Sequence, residues 1–171
     1  MDRKKHSDNE RKIPIWIQPI IESGKMSDID FFNFTDMLDW DKQGDDMAVL
    51  EPLVALLAEV GDSVIFAFDD KMTELLYNLD TYNIAKHIIE SDDYFSPDMF
   101  LYTRCVALIN GKSYYDAILK GKNKLEEDTE FESLLYVPIK AWERLHNKDG
   151  EQYPHISKLS YETYSNENGW K

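Results

Sequence analysis

The segment Pro97 to Gly111, PDMFLYTRCVALING, constrains the fold most, because clear helix boundaries enclose residues that are apolar on every side. Ser96 precedes it and favours an N-cap, since a serine oxygen can accept a hydrogen bond from a free N–H of the first turn. Proline suits the first helical position, and glycine suits the residue that follows a helix. A helix that is apolar all round is normally buried. We therefore predict that this helix lies at the centre of a helical fold.

One charged residue, Arg104, lies inside this apolar segment. A guanidinium group stays protonated in proteins, so its burial requires partners. We predict that Arg104 is buried and pairs with a carboxylate, and the leading candidates are Asp69, Asp92 and Asp93. The alternative is that Arg104 holds an anion at a binding site.

The composition is that of a folded globular protein. The chain has 171 residues, of which 43% are hydrophobic and 13% aromatic, enough for one domain with a core. The single cysteine, Cys105, excludes an internal disulfide framework and favours a reducing compartment. No apolar run reaches the roughly 20 residues of a membrane-spanning helix, and the N-terminus lacks the apolar core of a signal peptide. These features predict a cytoplasmic protein that does not enter a membrane.

The spacing of apolar residues predicts a mainly α protein, a single compact domain of six or seven short helices with extended N- and C-terminal arms. Residues 1–12 are predicted to be a mobile tail, residues 13–148 the helical domain, and residues 149–171 an irregular arm packed on or near it. Within the domain, Pro14 and Pro19 predict that residues 13–21 are extended. The predicted helices are 28–40, 47–60, 63–79, 82–90, 97–110, 114–120 and 130–147, the last with a kink at Pro138.

The charge of the chain is strongly negative. The net charge is −14, and residues 1–12 hold five basic and three acidic side chains, so the remaining residues carry −16. Such a field repels nucleic acids and anionic membranes and attracts basic partners. We therefore expect a basic protein partner and no nucleic-acid or membrane partner. Solubility alone is the other explanation of the charge, and the oligomeric state is left open.

A family resemblance rests on residues 66–125. The positions that carry it are Phe68, Asp69, Ile88, Ile89, Ser91, Asp92, Asp93, Phe100, Tyr102, Arg104, Leu108, Ile109, Gly111, Lys112 and Tyr115. Over about residues 28–145 the chain resembles the bacterial domain-of-unknown-function 4240 family. It departs from the family pattern at Glu90-Ser91, where glycines are common, and at Thr103, where an aromatic residue is more common. The resemblance implies a helical bacterial cytoplasmic domain and implies no function.

Six residues are candidates for a binding site: Asp92, Asp93, Tyr94, Tyr102, Arg104 and Tyr115. The two adjacent aspartates precede a helix and could bind a cation or hold the arginine, or they could simply compensate the helix dipole. They do not match the alternating ligands of a calcium loop. The four histidines lack metal-ligand spacing, and neither a phosphate-binding loop nor a nucleophile elbow is present. We predict no catalytic residue, no metal and no cofactor.

Two classes of function remain. The absence of a catalytic motif favours an acidic, non-catalytic protein-binding domain, such as an inhibitor or immunity protein that neutralises a basic bacterial toxin. Acidic surfaces accelerate association with basic partners, and tyrosines of the 91–95 loop and of the C-terminal arm are the expected anchors. The alternative is a small helical enzyme or ligand-binding regulator that uses Arg104 with Asp92 and Asp93. Aromatic residues could also line a groove or belong to the core: Tyr94, Phe95, Tyr114, Tyr115 and Tyr136.

Overall fold

Helices make up the regular structure of the computed structural model, which describes residues 13–91 and 94–171. Within these residues there are eight α-helices and no strand, which confirms the mainly α prediction. The α-helices are α1 Gln18–Ser23, α2 Asp28–Thr35, α3 Asp46–Val60, α4 Asp62–Leu79, α5 Tyr82–Ser91, α6 Pro97–Ile109, α7 Lys112–Leu119 and α8 Val137–His146. The predicted mobile tail, residues 1–12, lies outside the described part.

Helix α4 occupies the centre of the domain. It packs against α1, α2, α3, α6, α7 and α8. Its buried side chains include Ile65, Phe68, Met72 and Leu76, which recur at helical spacing along one side. Helix α6 is also buried on several sides, as predicted, and contacts α2, α4 and α7. None of the described helices is both long enough and apolar enough to cross a bilayer.

The ends of α6 follow the sequence signals. The Ser96 side chain accepts a hydrogen bond from the Met99 N–H at 3.3 Å, and Pro97 lies in the first turn. Gly111 follows the helix with φ of 86°, a value that favours glycine, and it also forms the N-cap of α7. The predicted boundaries of this helix are therefore confirmed.

Residues 15–21 are helical, so the prediction that residues 13–21 are extended is wrong. They form a short 3-10 helix, Ile15–Ile17, followed by α1. Pro19 lies in the first turn of α1, where its missing N–H would have no partner inside the helix. Trp16 packs edge-on against Phe34, with 4.8 Å between ring centroids, and fixes the segment to α2.

Two predicted helices are shorter than expected. Helix α2 ends at Thr35, because the chain then turns to bury Leu38 before a 3-10 helix begins at Trp40. The last helix begins at Val137 and is preceded by a 3-10 helix over Glu132–Tyr136. Pro138 lies in the first turn of α8 and marks a helix start instead of the predicted kink.

The C-terminal arm, residues 149–171, contains two short 3-10 helices and no α-helix. It is held to α4 by side-chain hydrogen bonds. The Tyr153 hydroxyl donates to Asp69 Oδ2 at 2.9 Å, and the Ser157 hydroxyl donates to Asp70 Oδ1 at 2.7 Å. Further along, Trp170 packs edge-on against Phe100 of α6, with 6.0 Å between ring centroids.

Candidate functional site

Arg104 lies fully buried beside the C-terminal end of α4, which confirms the predicted burial. Its Nη1 donates to the carbonyl of Leu76 at 2.8 Å, and its Nη2 donates to the Tyr161 carbonyl and the Thr163 hydroxyl at 2.9 Å each. Burial lowers the pKa of Arg104 to about 10, and the negative charge of Asp80 opposes this decrease. The guanidinium therefore serves to join α6, α4 and the C-terminal arm.

The structure describes one of the three predicted carboxylate partners of Arg104, and the prediction that this residue, Asp69, pairs with Arg104 is wrong. Asp69 accepts its hydrogen bond from Tyr153, and no described carboxylate lies within 4.0 Å of the guanidinium. Asp92 and Asp93 lie outside the described residues, so their proposed pairing stays a prediction. One of the two accepting carbonyls, that of Leu76, lies in the last turn of α4, where helix carbonyls lack partners and carry partial negative charge.

The other predicted site residues are not gathered around an accessible Arg104. Tyr115 is buried, and its hydroxyl donates to the Leu75 carbonyl at 3.0 Å. Tyr102 lines a separate small cavity of about 210 Å³ together with Glu132. Tyr94 is 74% exposed. The four described candidates therefore do not form one open binding site.

A second buried charge, Asp80, was missed by the sequence interpretation. It follows α4 directly and is 0% exposed. Its oxygens accept hydrogen bonds from the backbone N–H of Tyr164 at 3.1 Å, the backbone N–H of Asn166 at 3.0 Å and the indole N–H of Trp170 at 2.8 Å. The two buried charges, Asp80 and Arg104, thus both bind the C-terminal arm.

An open groove of about 660 Å³ has an apolar floor and acidic sides, and we call it the acidic groove. It lies between the start of α3, the end of α6 and the segment that precedes the 3-10 helix at Glu132. Its lining residues are Trp40, Gln43, Gly44, Asp46, Val49, Val106, Ile109, Asn110, Thr129, Glu130 and Phe131. None of these lining residues carries a positive charge.

The acidic groove brings together two acidic stretches that are far apart in sequence. Residues 36–46 contain five aspartates and one lysine, and residues 126–132 contain five acidic residues and no lysine or arginine. The rings of Trp40 and Phe131 lie 6.0 Å apart, and the Ser133 hydroxyl donates to Asp46 at 3.2 Å. The negative potential of both stretches therefore acts at one surface.

The walls of the acidic groove are fixed by hydrogen bonds to α6. The Phe131 N–H donates to the Tyr102 carbonyl at 3.2 Å, and the Thr103 hydroxyl donates to the Thr129 carbonyl at 2.8 Å. Thr103 is one of the two places at which the sequence departs from the resembled family, and here its hydroxyl holds the groove wall. The groove is therefore formed before any partner binds.

Two large apolar side chains are accessible at or beside the acidic groove: Trp40 and Met47 are each 44% exposed. Tryptophan and methionine are enriched where proteins bind one another. The sequence interpretation placed Trp40 at a helix end and expected tyrosine anchors elsewhere. An aromatic residue inside an acidic run between two helices was the signal that could have identified this site. The aromatic set considered earlier does not line one groove, because Tyr115 is buried and Phe95 packs against Phe100.

Three arrangements that support catalysis in other proteins are not found among the described side chains. Ser157 donates to Asp70 Oδ1, and His155 Nε2 lies 2.8 Å from the same oxygen, so the serine is not bonded to a histidine base. Cys105 is buried, and burial raises the pKa of its thiol to about 12. Across residues 13–91 and 94–171, no group of three or more His, Cys, Asp or Glu side chains is arranged to hold a metal.

Comparison with known families agrees with the resemblance seen in the sequence. The model of the family described as "Protein of unknown function (DUF4240)" matches residues 26–144. None of the curated proteins and none of the solved structures matches the chain. The matched residues include all of the acidic groove and end before the C-terminal arm.

Proposed function

The chain belongs to the DUF4240 family, and because that family has no assigned function, we propose from the surface of this protein that it is a non-catalytic protein-binding domain. The contact between Trp40 and Phe131 carries the proposal, because it joins two acidic stretches over one apolar floor. An apolar centre surrounded by polar residues is the usual anatomy of a protein interface.

The partner is expected to insert an apolar or aromatic side chain beside Trp40 and to place lysine or arginine side chains near Asp46 and Glu130. Burial of the inserted side chain would provide most of the affinity, since a few well-packed anchors dominate binding energies. The charges would mainly accelerate association and select a basic partner. Association should therefore slow as salt rises, because exposed charges are screened over about 10 Å at 0.1 M ionic strength.

A basic toxin that acts on nucleic acid has the required chemistry. Such a toxin carries a positive surface for phosphate contacts, and an acidic domain that covers this surface would inhibit it. We therefore propose that the protein acts in the cytoplasm of a bacterium as an inhibitor or immunity protein. The enzymatic alternative depends on Arg104, whose terminal nitrogens already donate to the protein and which is 0% exposed.

The test is retention of partners from an extract of the native cell by the immobilised full chain at low and moderate salt, with identification of the retained protein. We expect a basic protein whose affinity falls at least tenfold with Trp40→Ala. The affinity should also fall in the double variant Asp41→Asn with Glu130→Gln, which neutralises two exposed acidic residues at this surface.

The matched control is the pair Glu22→Gln and Glu59→Gln, which removes the same charge from exposed positions on α1 and α3 outside the acidic groove. The control should keep the parent affinity. If both double variants lose affinity equally, the net charge alone determines binding. If Trp40→Ala binds as tightly as the parent, the acidic groove is not the binding site. Turnover of a metabolite by the purified chain without a protein partner would favour the enzyme.

A further inference from the structure

We propose that a second groove, on a different side of the molecule, binds a small molecule that carries a multivalent anionic head group. This groove lies between α5, the turn that follows α7 and the end of the C-terminal arm, and has a volume of about 670 Å³. We call it the lysine groove after four of its lining residues, Lys86, Lys120, Lys124 and Lys171. The proposal does not depend on the acidic groove or on a protein partner.

The charge of the lysine groove is opposite to that of the whole chain. The chain contains 33 acidic and 19 basic residues, yet none of the residues that line this groove is an aspartate or glutamate. Among the described residues, no carboxylate lies within 4.0 Å of the lysines of this groove. Several unpaired ammonium groups around one concave surface create a local positive potential suited to an anion.

The helix ends at this groove do not account for its charge. The first turn of α5, at Asn83 and Ile84, contributes the positive end of a helix dipole. The last turn of α7, at Ile118 and Leu119, contributes the negative end of another. Because these two partial charges oppose each other, neither helix end sets the sign of the potential, and four lysine side chains line the groove.

The remaining lining residues suit the body of a small molecule. Four asparagines supply amide donors and acceptors: Asn78, Asn83, Asn123 and Asn168. The apolar part of the lining includes Ile84, Ile118 and Leu119, and Leu119 is 44% exposed. A volume of this size with an apolar surface and a few polar groups falls within the range of ligand sites, roughly 300 to 1,000 Å³.

The walls of the lysine groove are held in place from both sides. His87 Nε2 lies 2.9 Å from the Leu125 carbonyl and ties α5 to the turn, while the N–H groups of Lys122 and Asn123 both donate to the Ala117 carbonyl. On the arm, Gly169 lies so close to the residue that precedes α5 that an added Cβ would be 2.7 Å from Thr81 Cγ2. The site is therefore largely formed without a ligand, which lowers the entropic cost of binding.

A compact ligand fits this electrostatic setting better than a nucleic acid does. Lysine ammonium groups bind phosphate and carboxylate as point charges. A long polyanion would extend beyond the groove into the field of a chain with net charge −14, which repels it. The shared chemistry of the expected ligands is therefore a small head group with two or more negative charges, either phosphate or carboxylate.

The test is isothermal titration of the full chain with three probes: pyrophosphate, ATP and citrate. We expect saturable one-to-one binding of at least one probe at millimolar concentration or below. Tighter binding of pyrophosphate and ATP than of citrate would identify a phosphate head group, and the reverse order a carboxylate. Tighter binding of ATP than of pyrophosphate would indicate that the apolar lining contributes.

The variant Lys120→Ala with Lys124→Ala should weaken that binding at least tenfold. The matched control, Lys25→Ala with Lys158→Ala, removes two exposed lysines that do not line this groove and should bind as the parent does. Circular dichroism melting of both variants checks that each is folded. The proposal is overturned if all three probes fail to bind, if the two variants lose affinity equally, or if an oligonucleotide binds more tightly than every probe.

Discussion

Arg104 and Tyr115 donate hydrogen bonds to the carbonyls of two consecutive residues, Leu76 and Leu75, in the last turns of α4. The two donors come from different helices, α6 and α7, and both side chains are almost fully buried. A buried carbonyl without a partner destabilises a fold, and the end of a helix leaves several of them. Two side chains of the family motif thus tie α6 and α7 to the same end of α4.

Replacing the guanidinium should strongly destabilise the protein. Arg104→Met removes the donors to Leu76, Tyr161 and Thr163 and leaves buried acceptors unsatisfied. We expect the free energy of unfolding in urea to fall by about 2–4 kcal/mol. The control Arg144→Met breaks an exposed ion pair with Glu51 and should change the free energy of unfolding by about 1 kcal/mol or less. Equal stability of Arg104→Met and the parent would contradict the capping role.

Asp80→Asn should loosen the C-terminal arm. An amide would direct N–H groups toward at least one of the three donors that now bind the carboxylate: Tyr164, Asn166 and Trp170. We expect amide hydrogen exchange at Tyr164 and Asn166 to accelerate at least tenfold, whereas the middle of α4 keeps its protection. Asp36→Asn, at an exposed position after α2, is the control. Unchanged exchange in the arm would show that Asp80 does not hold it.

The difference in stability between the parent and the variant Asp69→Asn should depend on pH. Burial raises the pKa of Asp69 above its ordinary value of 3.8, against the smaller lowering effect of the Tyr153 hydrogen bond. The folded state therefore holds the proton more tightly than the unfolded chain, and this contribution to stability is lost as pH rises through the folded pKa. We expect Asp69→Asn to gain stability relative to the parent between about pH 4 and pH 7, measured by urea unfolding. If the stability of Asp69→Asn relative to the parent stays constant or falls over that pH range, burial does not raise the pKa of Asp69.

The thiol of Cys105 should be inert in the folded protein. It is 0% exposed, and burial raises its pKa to about 12, so little thiolate forms at neutral pH. We expect labelling by a thiol reagent at pH 8 to be at least about 100-fold slower in the native chain than in urea-unfolded chain. Rapid labelling of the native chain would mean that α6 opens frequently.

Local signals determined what the sequence could predict. The ends of α6 follow from Ser96, Pro97 and Gly111, each of which acts within its own turn. Pro19 and Pro138 were misread because a proline that breaks a strand or kinks a helix is equally suited to a helical first turn. Local pattern alone does not distinguish these roles, since the answer depends on what packs on either side.

The sites depend on contacts that the sequence pattern does not contain. The partner carbonyls of Arg104 belong to Leu76 and Tyr161, which lie 28 and 57 residues away in sequence. Any residue type can offer a carbonyl, so no motif marks them. The acidic groove likewise exists only once Trp40 and Phe131 meet. Composition predicted an acidic surface, but not where its apolar centre lies.

The contacts of the C-terminal arm limit where the chain can be truncated for expression. The family match ends at residue 144, whereas Tyr161, Thr163 and Trp170 supply partners to Arg104 and Asp80. A fragment limited to the matched residues would keep the buried side chains of Arg104 and Asp80 but lose most of their hydrogen-bond partners. The buried charges of this protein therefore have partners as far along the chain as Trp170, beyond the family boundary, and expression fragments should be designed to include the arm.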